Sequence, residues 1–199
     1  MRTLLAAVLV TAAGCSGLWS GTDGLRAFTF EQARRLAVAE HPVALPEVVL
    51  QDQSGRLLQL ADFRGKLVLV DFIYTRCASV CLTLGTSFQQ IYRRLRSELG
   101  AKVVLLSISF DPVRDTPEML YVYAQRMGAD GSTWIMVRPY QVQQLSRLLD
   151  TFGIVVIADR FGGFQHNGAI HLLDRQGRLA GIFDYDAPAV AANSVLQRL

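Results

Sequence analysis

Residues 67–74 form a nearly uninterrupted apolar segment, LVLVDFIY, which ends shortly before Cys77. A run of this length and composition predicts a strand buried within a sheet. Apolar residues then recur at three- and four-residue spacing over residues 83–99, which predicts an amphipathic helix. Cys77 and Cys81 therefore lie where a buried strand leads into a helix. Helix N-termini carry unpaired N–H groups and partial positive charge that favour a thiolate, so this junction indicates redox chemistry or metal binding.

Predicted strands and helices alternate along the rest of the chain. A polar turn at residues 52–55 joins two apolar segments, which indicates a hairpin near the N-terminal end of the folded region. This alternation predicts an α/β fold in which a mixed sheet is flanked by helices. The predicted strands are 48–50, 57–60, 67–74, 103–108, 134–137, 154–157, 169–173 and 179–183, and the predicted helices are 31–40, 83–99, 117–127, 141–152 and 187–199.

The N-terminus has the pattern of an export signal. Arg2 precedes a short apolar run, residues 4–10, and small residues lead to Cys15. The end of this segment resembles a bacterial lipobox, although Ala12 occupies a position where leucine is usual. We therefore expect a lipoprotein-type signal peptide over residues 1–14, with Cys15 as the lipidated residue. The alternatives are an ordinary cleaved signal or an uncleaved anchor, and each of them places the remaining chain outside the cytoplasm.

The domain organisation follows from this interpretation. Residues 15–41 are expected to form a tether and a short helix, in which Thr29 and Gln32 act as reciprocal caps. Residues 42–199 are expected to form the functional domain. The formal net charge of the chain is only +3, and basic residues form no stripe with interleaved aromatics, so we expect no nucleic-acid partner.

The cysteine count leaves one thiol pair. The chain has three cysteines, and lipidation of Cys15 leaves Cys77 and Cys81 as a disulfide, a working redox couple or a metal site. If these two residues form one helical turn, both sulfurs face the same way. Two thiolates suit copper(I), zinc or a disulfide.

A metal site of this kind also needs an imidazole or another third ligand. Among the three histidines, His41 is expected on the surface near a helix end, and His171 is expected to be a partly buried structural residue in a strand. His166 is expected in a glycine-containing loop at residues 161–168. A lone loop histidine is more often structural than a ligand, so the residues alone leave the role of His166 open.

Three segments, residues 71–81, 107–117 and 166–174, resemble sequences of the SCO/SenC proteins, which are copper-binding thioredoxin-like domains associated with cytochrome c oxidase assembly. They are similar to that family's Tyr-Thr-x-Cys-x-x-x-Cys, Ser-x-Asp-Pro-x-x-Asp-Thr-Pro and His-x-x-x-x-x-Leu-x-Asp stretches, occur in the same order and cover roughly residues 45–185. The resemblance implies a thioredoxin-like fold and a copper ion bound by Cys77, Cys81 and His166.

The resemblance also implies partners and a location. It implies delivery of copper, or reduction of copper-site thiols, at the copper-centre subunit of cytochrome c oxidase. Other periplasmic copper chaperones or thiol reductants are further candidate partners. The protein is expected on the periplasmic side of a bacterial membrane, anchored by lipid at Cys15.

Two departures from the family pattern keep a second function open. The family commonly has proline after each cysteine, whereas this chain has Ala78 and Leu82. The extra backbone N–H groups favour thiolate and shift reduction potential, so a thiol–disulfide oxidoreductase remains an alternative, with Cys77 attacking and Cys81 resolving. Gln165 stands where an acidic residue often precedes the histidine. Peroxide reduction at Cys77 is a third alternative.

Three charged residues near the thiols have open roles. Asp111 and Asp115 have good turn and cap chemistry, and we expect both to hold their loop near the site. Arg76 either lowers the pKa of the neighbouring Cys77 thiol or is simply solvated.

Overall fold

The computed structural model of the chain describes residues 22, 24, 26–77, 80–160 and 162–199, with residues 80–82 described by their backbone. The predicted signal peptide, residues 1–14, and Cys15 lie outside the described residues. The chain divides into two units, Met1–His41 and Pro42–Leu199.

The described part of the first unit contains one helix, α1 (Phe30–Glu40). The Thr29 hydroxyl accepts the backbone N–H of Gln32 at 3.1 Å, as predicted for an N-cap. The Gln32 side chain accepts the N–H of Phe28 at 2.8 Å instead of that of Thr29, so the reciprocal contact lies one residue earlier than expected.

The second unit is built on an eight-stranded mixed sheet. Its strands, in chain order, are β1 (Val43–Ala44), β2 (Val49–Asp52), β3 (Leu57–Gln59), β4 (Leu67–Ile73), β5 (Val103–Ser109), β6 (Trp134–Pro139), β9 (Ala169–Leu173) and β10 (Arg178–Asp184), while β7 (Val156–Ala158) and β8 (Phe164–His166) form a separate antiparallel pair. The spatial order in the sheet is β1-β10-β9-β4-β5-β6-β2-β3. Strands β4, β5 and β6 are parallel, and the remaining pairs are antiparallel. The predicted hairpin extends this sheet through β2, which pairs with β6.

The helices of this unit cover both faces of the sheet. They are α2 (Val80–Arg94), α3 (Pro117–Met127), α4 (Leu145–Phe152) and α5 (Pro188–Leu196), with short 3-10 turns at Leu60–Phe63 and Val142–Gln144. Apolar residues of α2, α3 and α5 form one core with Leu69 and Ile73 of β4. On the opposite face, Phe152 of α4 packs edge-on against Phe72 of β4, with ring centroids 5.1 Å apart. The prediction of a mixed sheet flanked by helices is confirmed.

Several predicted elements differ from the structure, and the C-terminal helix, for example, ends at Leu196 instead of residue 199. The helix predicted over residues 83–99 begins at Val80 and ends at Arg94. After it, the carbonyl of Glu98 accepts the N–H groups of Lys102 and Val103, so residues 95–102 form a turn into β5. The helix predicted over residues 141–152 is a 3-10 turn followed by α4, which ends at Gly153 with a left-handed φ of 67°. The strand predicted over residues 154–157 lies in the separate β7–β8 pair.

Candidate functional site

Cys77 lies in the segment that connects β4 to α2. Its N–H donates to the carbonyl of Tyr74 at 3.2 Å, and the residue is half-buried. Because α2 begins at Val80, Cys77 precedes the helix and Cys81 lies in its first turn. The condition of a helical turn that contains both cysteines is therefore not met, because only Cys81 belongs to the helix. The side chain of Cys81 lies outside the described part of the chain.

A buried carboxylate holds this segment in place. Asp115 is fully buried and accepts the backbone N–H of Thr75 at 3.0 Å and the Thr75 hydroxyl at 2.7 Å. The Ser109 hydroxyl also donates to Asp115, at 2.6 Å. A buried carboxylate needs several donors to offset its lost hydration, and these three hydrogen bonds join the cysteine segment to the end of β5. Asp115 thus has the loop-holding contacts expected of it.

Arg76 forms a second link next to Cys77. Its guanidinium donates to the carbonyl of Gly162 at 3.1 Å and lies 3.4 Å from a carboxylate oxygen of Asp111. Arg114 approaches the same oxygen at 3.3 Å. Arg76 is therefore not simply solvated, because it connects the cysteine segment to the β5–α3 loop and to the tip of the β7–β8 hairpin.

His166 reaches the cysteine segment through an aromatic cluster. Its ring centroid lies 4.8 Å from that of Phe110 and 6.1 Å from that of Tyr74. Phe164 completes the cluster, with its ring centroid 5.3 Å from that of Tyr74. His166 lies at the end of β8 and not in a loop as predicted, because the hairpin formed by residues 156–166 supplies a strand that the local sequence does not indicate. The fold thus brings His166 beside the residues that precede Cys77.

The tautomer of His166 suits a metal ligand. Its Nδ1 lies 2.9 Å from the backbone carbonyl of Asn167, so Nδ1 carries the proton and Nε2 carries the lone pair. Burial lowers the pKa of His166, and the hydrogen bond to Asn167 partly opposes this effect. Neutral imidazole is the form that binds metals.

Asn167 fixes the strand end that carries this histidine. Its side-chain oxygen accepts the N–H of Val155 at 2.7 Å, and its amide donates to the carbonyl of Gly153 at 2.9 Å. These bonds join β8 to the end of α4. No pattern in the sequence predicts this role for Asn167, and its position directly after His166 is the one available signal.

The other two histidines have the structural places expected of them. His171 is fully buried, and its Nε2 lies 3.1 Å from the carbonyl of Phe152. Its ring packs edge-on against Phe72 and Phe152 on the face of the sheet covered by α4. His41 is exposed at the end of α1.

Asp71 is an unusual buried acid in β4. It is 1% exposed, and neither carboxylate oxygen has a hydrogen-bond partner among the described residues. Burial raises the pKa of Asp71 to about 8, and the neighbouring Ser107 hydroxyl opposes this only in part. Its signal in the sequence is that of a single acid inside an apolar strand, for which no role was predicted.

The arrangement has the donors of a soft-metal or redox site. Among the side chains that the structure describes, no group of three or more His, Cys, Asp or Glu residues is placed to hold a metal ion. The segments of Cys77 and His166 meet at Tyr74, whose carbonyl accepts the Cys77 N–H and whose ring centroid lies 6.1 Å from that of His166. A thiolate and a neutral imidazole suit copper(I), and a thiolate also suits thiol–disulfide exchange. Within the described residues, no helix is long and apolar enough to cross a membrane.

A central parallel strand that leads through a cysteine into a helix, within a mixed sheet flanked by helices, defines a thioredoxin-like protein. The chain belongs to the SCO1/SenC family, whose profile matches residues 40–199.

Individual relatives agree with this assignment. A mitochondrial SCO2 homolog of Bos taurus is 29% identical over 203 residues, which cover 98% of this chain and 73% of the relative. Bradyrhizobium japonicum ScoI, solved with copper bound, is 25% identical in sequence to this chain. Its structure superposes with a TM-score of 0.66 over 78% of this chain and 100% of that chain. BsSco also shares the fold, at 20% identity, with a TM-score of 0.68 over 79% of this chain and 94% of that chain. A disulfide switch was identified in BsSco, which is a member of the Sco family of cytochrome c oxidase assembly proteins.

Proposed function

We propose that the chain is a membrane-tethered, extracytoplasmic protein that binds copper and delivers it during cytochrome c oxidase assembly. One observation carries this proposal: the ring of His166 packs beside Tyr74, and the carbonyl of Tyr74 accepts the backbone N–H of Cys77, so two separate segments meet at one residue. The family membership and the copper-bound ScoI relative support copper as the cargo.

The proposed ligands are Cys77, Cys81 and His166. Two thiolates and one neutral imidazole form a three-coordinate set suited to copper(I). The Nδ1–H of His166 is used by the Asn167 carbonyl, which leaves Nε2 as the coordinating nitrogen. Because Cys77 is half-buried and precedes the helix, a partner's thiolates can reach the metal for ligand exchange.

Anaerobic copper(I) titration of the reduced full chain in detergent tests the site. The wild-type protein is expected to bind one copper(I) ion, and Cys77→Ser and His166→Ala are each expected to weaken binding at least tenfold. His41→Ala is the matched control, because His41 is exposed at a helix end outside the proposed ligand set. Stoichiometric binding that survives both site substitutions would contradict the proposal.

The tether and the partner complete the proposed function. Lipid at Cys15 would hold the domain on the periplasmic side of a bacterial membrane, where the copper-centre subunit of cytochrome c oxidase is the proposed acceptor. Other periplasmic copper chaperones or thiol reductants would load or reduce the site.

Metabolic labelling with a radioactive fatty acid is expected to mark the wild-type chain and not Cys15→Ser. Labelling that persists in Cys15→Ser would place the lipid elsewhere.

A thiol–disulfide oxidoreductase is the second candidate, favoured by Ala78 and Leu82 in place of the family prolines. The Cys77 thiolate would attack a partner disulfide, which forms a mixed disulfide and releases one partner thiolate. The Cys81 thiolate would then attack the Cys77 sulfur, which releases the second partner thiolate and leaves a Cys77–Cys81 disulfide. Disulfide reduction unaffected by His166→Ala, with no copper(I) bound, would favour this candidate.

A further inference from the structure

An open cleft lies between α2 and the start of α5. Its volume is about 560 Å³, and the residues that line it include Thr83, Ser87 and Gln90 of α2 and residues 186–189. Close packing of the two helices below it is provided by small residues of α5, since Ala191 and Ala192 belong to the same core as Phe88 of α2. None of the lining residues belongs to the proposed copper-binding set, so the cleft is a separate feature of the surface.

The helix α5 begins at this cleft without a side-chain cap. Its N-cap residue is Ala187, which has no side-chain acceptor, and Pro188 follows with no N–H of its own. The carbonyl of Ala187 accepts the N–H groups of Val190 and Ala191, at 3.1 Å and 3.3 Å. The N–H of Ala189, a residue that lines the cleft, has no acceptor among the described residues. The positive end of a nine-residue helix therefore meets the cleft with one unused donor.

Ser87 supplies a second unused donor on the opposite wall. It is 3% exposed and lines the same cleft. A hydroxyl within a helix often donates to the carbonyl four residues earlier, as Thr151 does to Arg147 at 2.9 Å. The Ser87 hydroxyl makes no hydrogen bond to any residue that the structure describes. Its partner must therefore be a molecule in the cleft, either water or a ligand.

The charges around the cleft favour an anion as that ligand. A second cleft continues along α2 beyond Gln90 and is lined by Arg93 and Arg94. Arg94 donates to the side-chain oxygen of Asn193 at 2.7 Å, whereas Arg93 forms no ion pair within the described part of the chain. Asp186 is the one acid that lines either cleft. The two arginines and this aspartate leave a net charge of +1, to which the helix end adds about half an elementary charge.

We propose that this cleft binds a small oxyanion, such as a phosphate or a carboxylate. The N–H of Ala189 and the hydroxyl of Ser87 donate to its oxygens, and Arg93 supplies positive charge from the adjoining cleft. Helix N-termini bind such groups because unused N–H donors and the helix dipole both favour negative charge. Asp186 opposes the anion, so the affinity is limited and the removal of this one charge should strengthen binding.

Titration of the reduced full chain in detergent with sodium phosphate tests the site. Two-dimensional NMR at constant ionic strength follows the backbone amide of Ala189. Sodium acetate provides the carboxylate arm, and sodium chloride provides the reference for a general effect of anions. The wild type is expected to saturate with a dissociation constant on the order of 1 mM for the preferred oxyanion.

Ser87→Ala is expected to weaken oxyanion binding about tenfold, because a hydrogen bond to a charged group is lost. Arg93→Gln is expected to weaken it about threefold, and Asp186→Asn is expected to strengthen it about threefold. The matched controls are Ser97→Ala and Arg96→Gln, which change exposed residues outside both clefts and should leave the affinity unchanged.

Saturation of the Ala189 shift by phosphate or acetate supports the site, and the tighter of the two identifies the preferred oxyanion. The site would be overturned by an amide shift that chloride reproduces, or by no saturable shift with either oxyanion. An affinity that Ser87→Ala leaves unchanged would also overturn it, as would weaker binding in Asp186→Asn.

Discussion

Thr75 and Asp115, forty positions apart, are joined by two hydrogen bonds inside the protein, one from the Thr75 N–H at 3.0 Å and one from its hydroxyl at 2.7 Å. This pair fixes the start of the turn that contains Cys77 against the loop after β5. The cysteine segment is thus held by a buried carboxylate whose hydrogen bonds come from Thr75 and Ser109. Removing the charge of Asp115 should therefore lower both the stability of the fold and the copper(I) affinity of the site.

Asp115→Asn is expected to lower the free energy of unfolding by about 2 kcal/mol, because charge-assisted hydrogen bonds to Thr75 and Ser109 are weakened in a buried place. It is also expected to weaken copper(I) binding, since the Cys77 turn loses its anchor. Urea denaturation and anaerobic copper(I) titration measure the two effects. Asp130→Asn is the matched control, because Asp130 accepts four hydrogen bonds from residues 132–134 in a turn between α3 and β6. Equal losses of copper affinity in both variants would contradict the anchoring role.

Asn167→Ala is expected to weaken copper(I) binding about fivefold to tenfold, because it removes the bonds to Gly153 and Val155 that fix the strand end beside His166. Isothermal titration with copper(I) under anaerobic conditions measures the effect. Asn193→Ala is the control, since it removes an asparagine that accepts from Arg94 on the surface between α2 and α5. An unchanged affinity in Asn167→Ala would show that His166 is placed by its aromatic contacts alone.

Much of the fold is predictable from local sequence, and the reasons are visible in particular elements. The run at residues 67–74 predicts β4 because a strand of that length with one acid, Asp71, among apolar residues has to be buried on both faces. Thr116 and Pro117 predict the start of α3 because cap and first-turn chemistry are local, and the Thr116 hydroxyl does accept the N–H of Met119, at 3.4 Å.

The parts that sequence does not predict depend on contacts between distant segments. The glycines around His166 predict a loop. In the structure His166 ends strand β8, which forms because residues 164–166 pair with residues 156–158. The link from Arg76 to Gly162 spans 86 positions and has no local signal. The four-residue spacing of Cys77 and Cys81 leaves open whether they share a helical turn, and the structure answers this by starting α2 at Val80.

Arg76→Gln is expected to weaken copper(I) binding about threefold to tenfold, because it removes the link between the Cys77 segment and the hairpin that carries His166. Arg114→Gln is a close control, since Arg114 approaches the same oxygen of Asp111 but makes no bond to Gly162. Competition with a copper(I) chelator measures both affinities. Arg76→Lys keeps the charge and is expected to recover only part of the affinity, because an ammonium group does not span two acceptors as a guanidinium does. An equal loss in Arg76→Gln and Arg114→Gln would indicate a general charge effect.

Asp71 predicts an unusual dependence of stability on pH. Its carboxyl has a pKa of about 8 in the folded protein, against 3.8 for an unperturbed aspartate. Between these values the unfolded chain loses this proton and the folded chain keeps it, so the contribution of Asp71 to stability falls as pH rises from about 4 to about 8. Asp71→Asn, which stays neutral, should therefore become more stable than the wild type by a few kcal/mol at pH 8, since each pKa unit is worth about 1.4 kcal/mol. The advantage should shrink towards pH 5, as measured by urea denaturation at each pH. A constant difference between the two proteins across this range would mean that Asp71 titrates normally despite its burial.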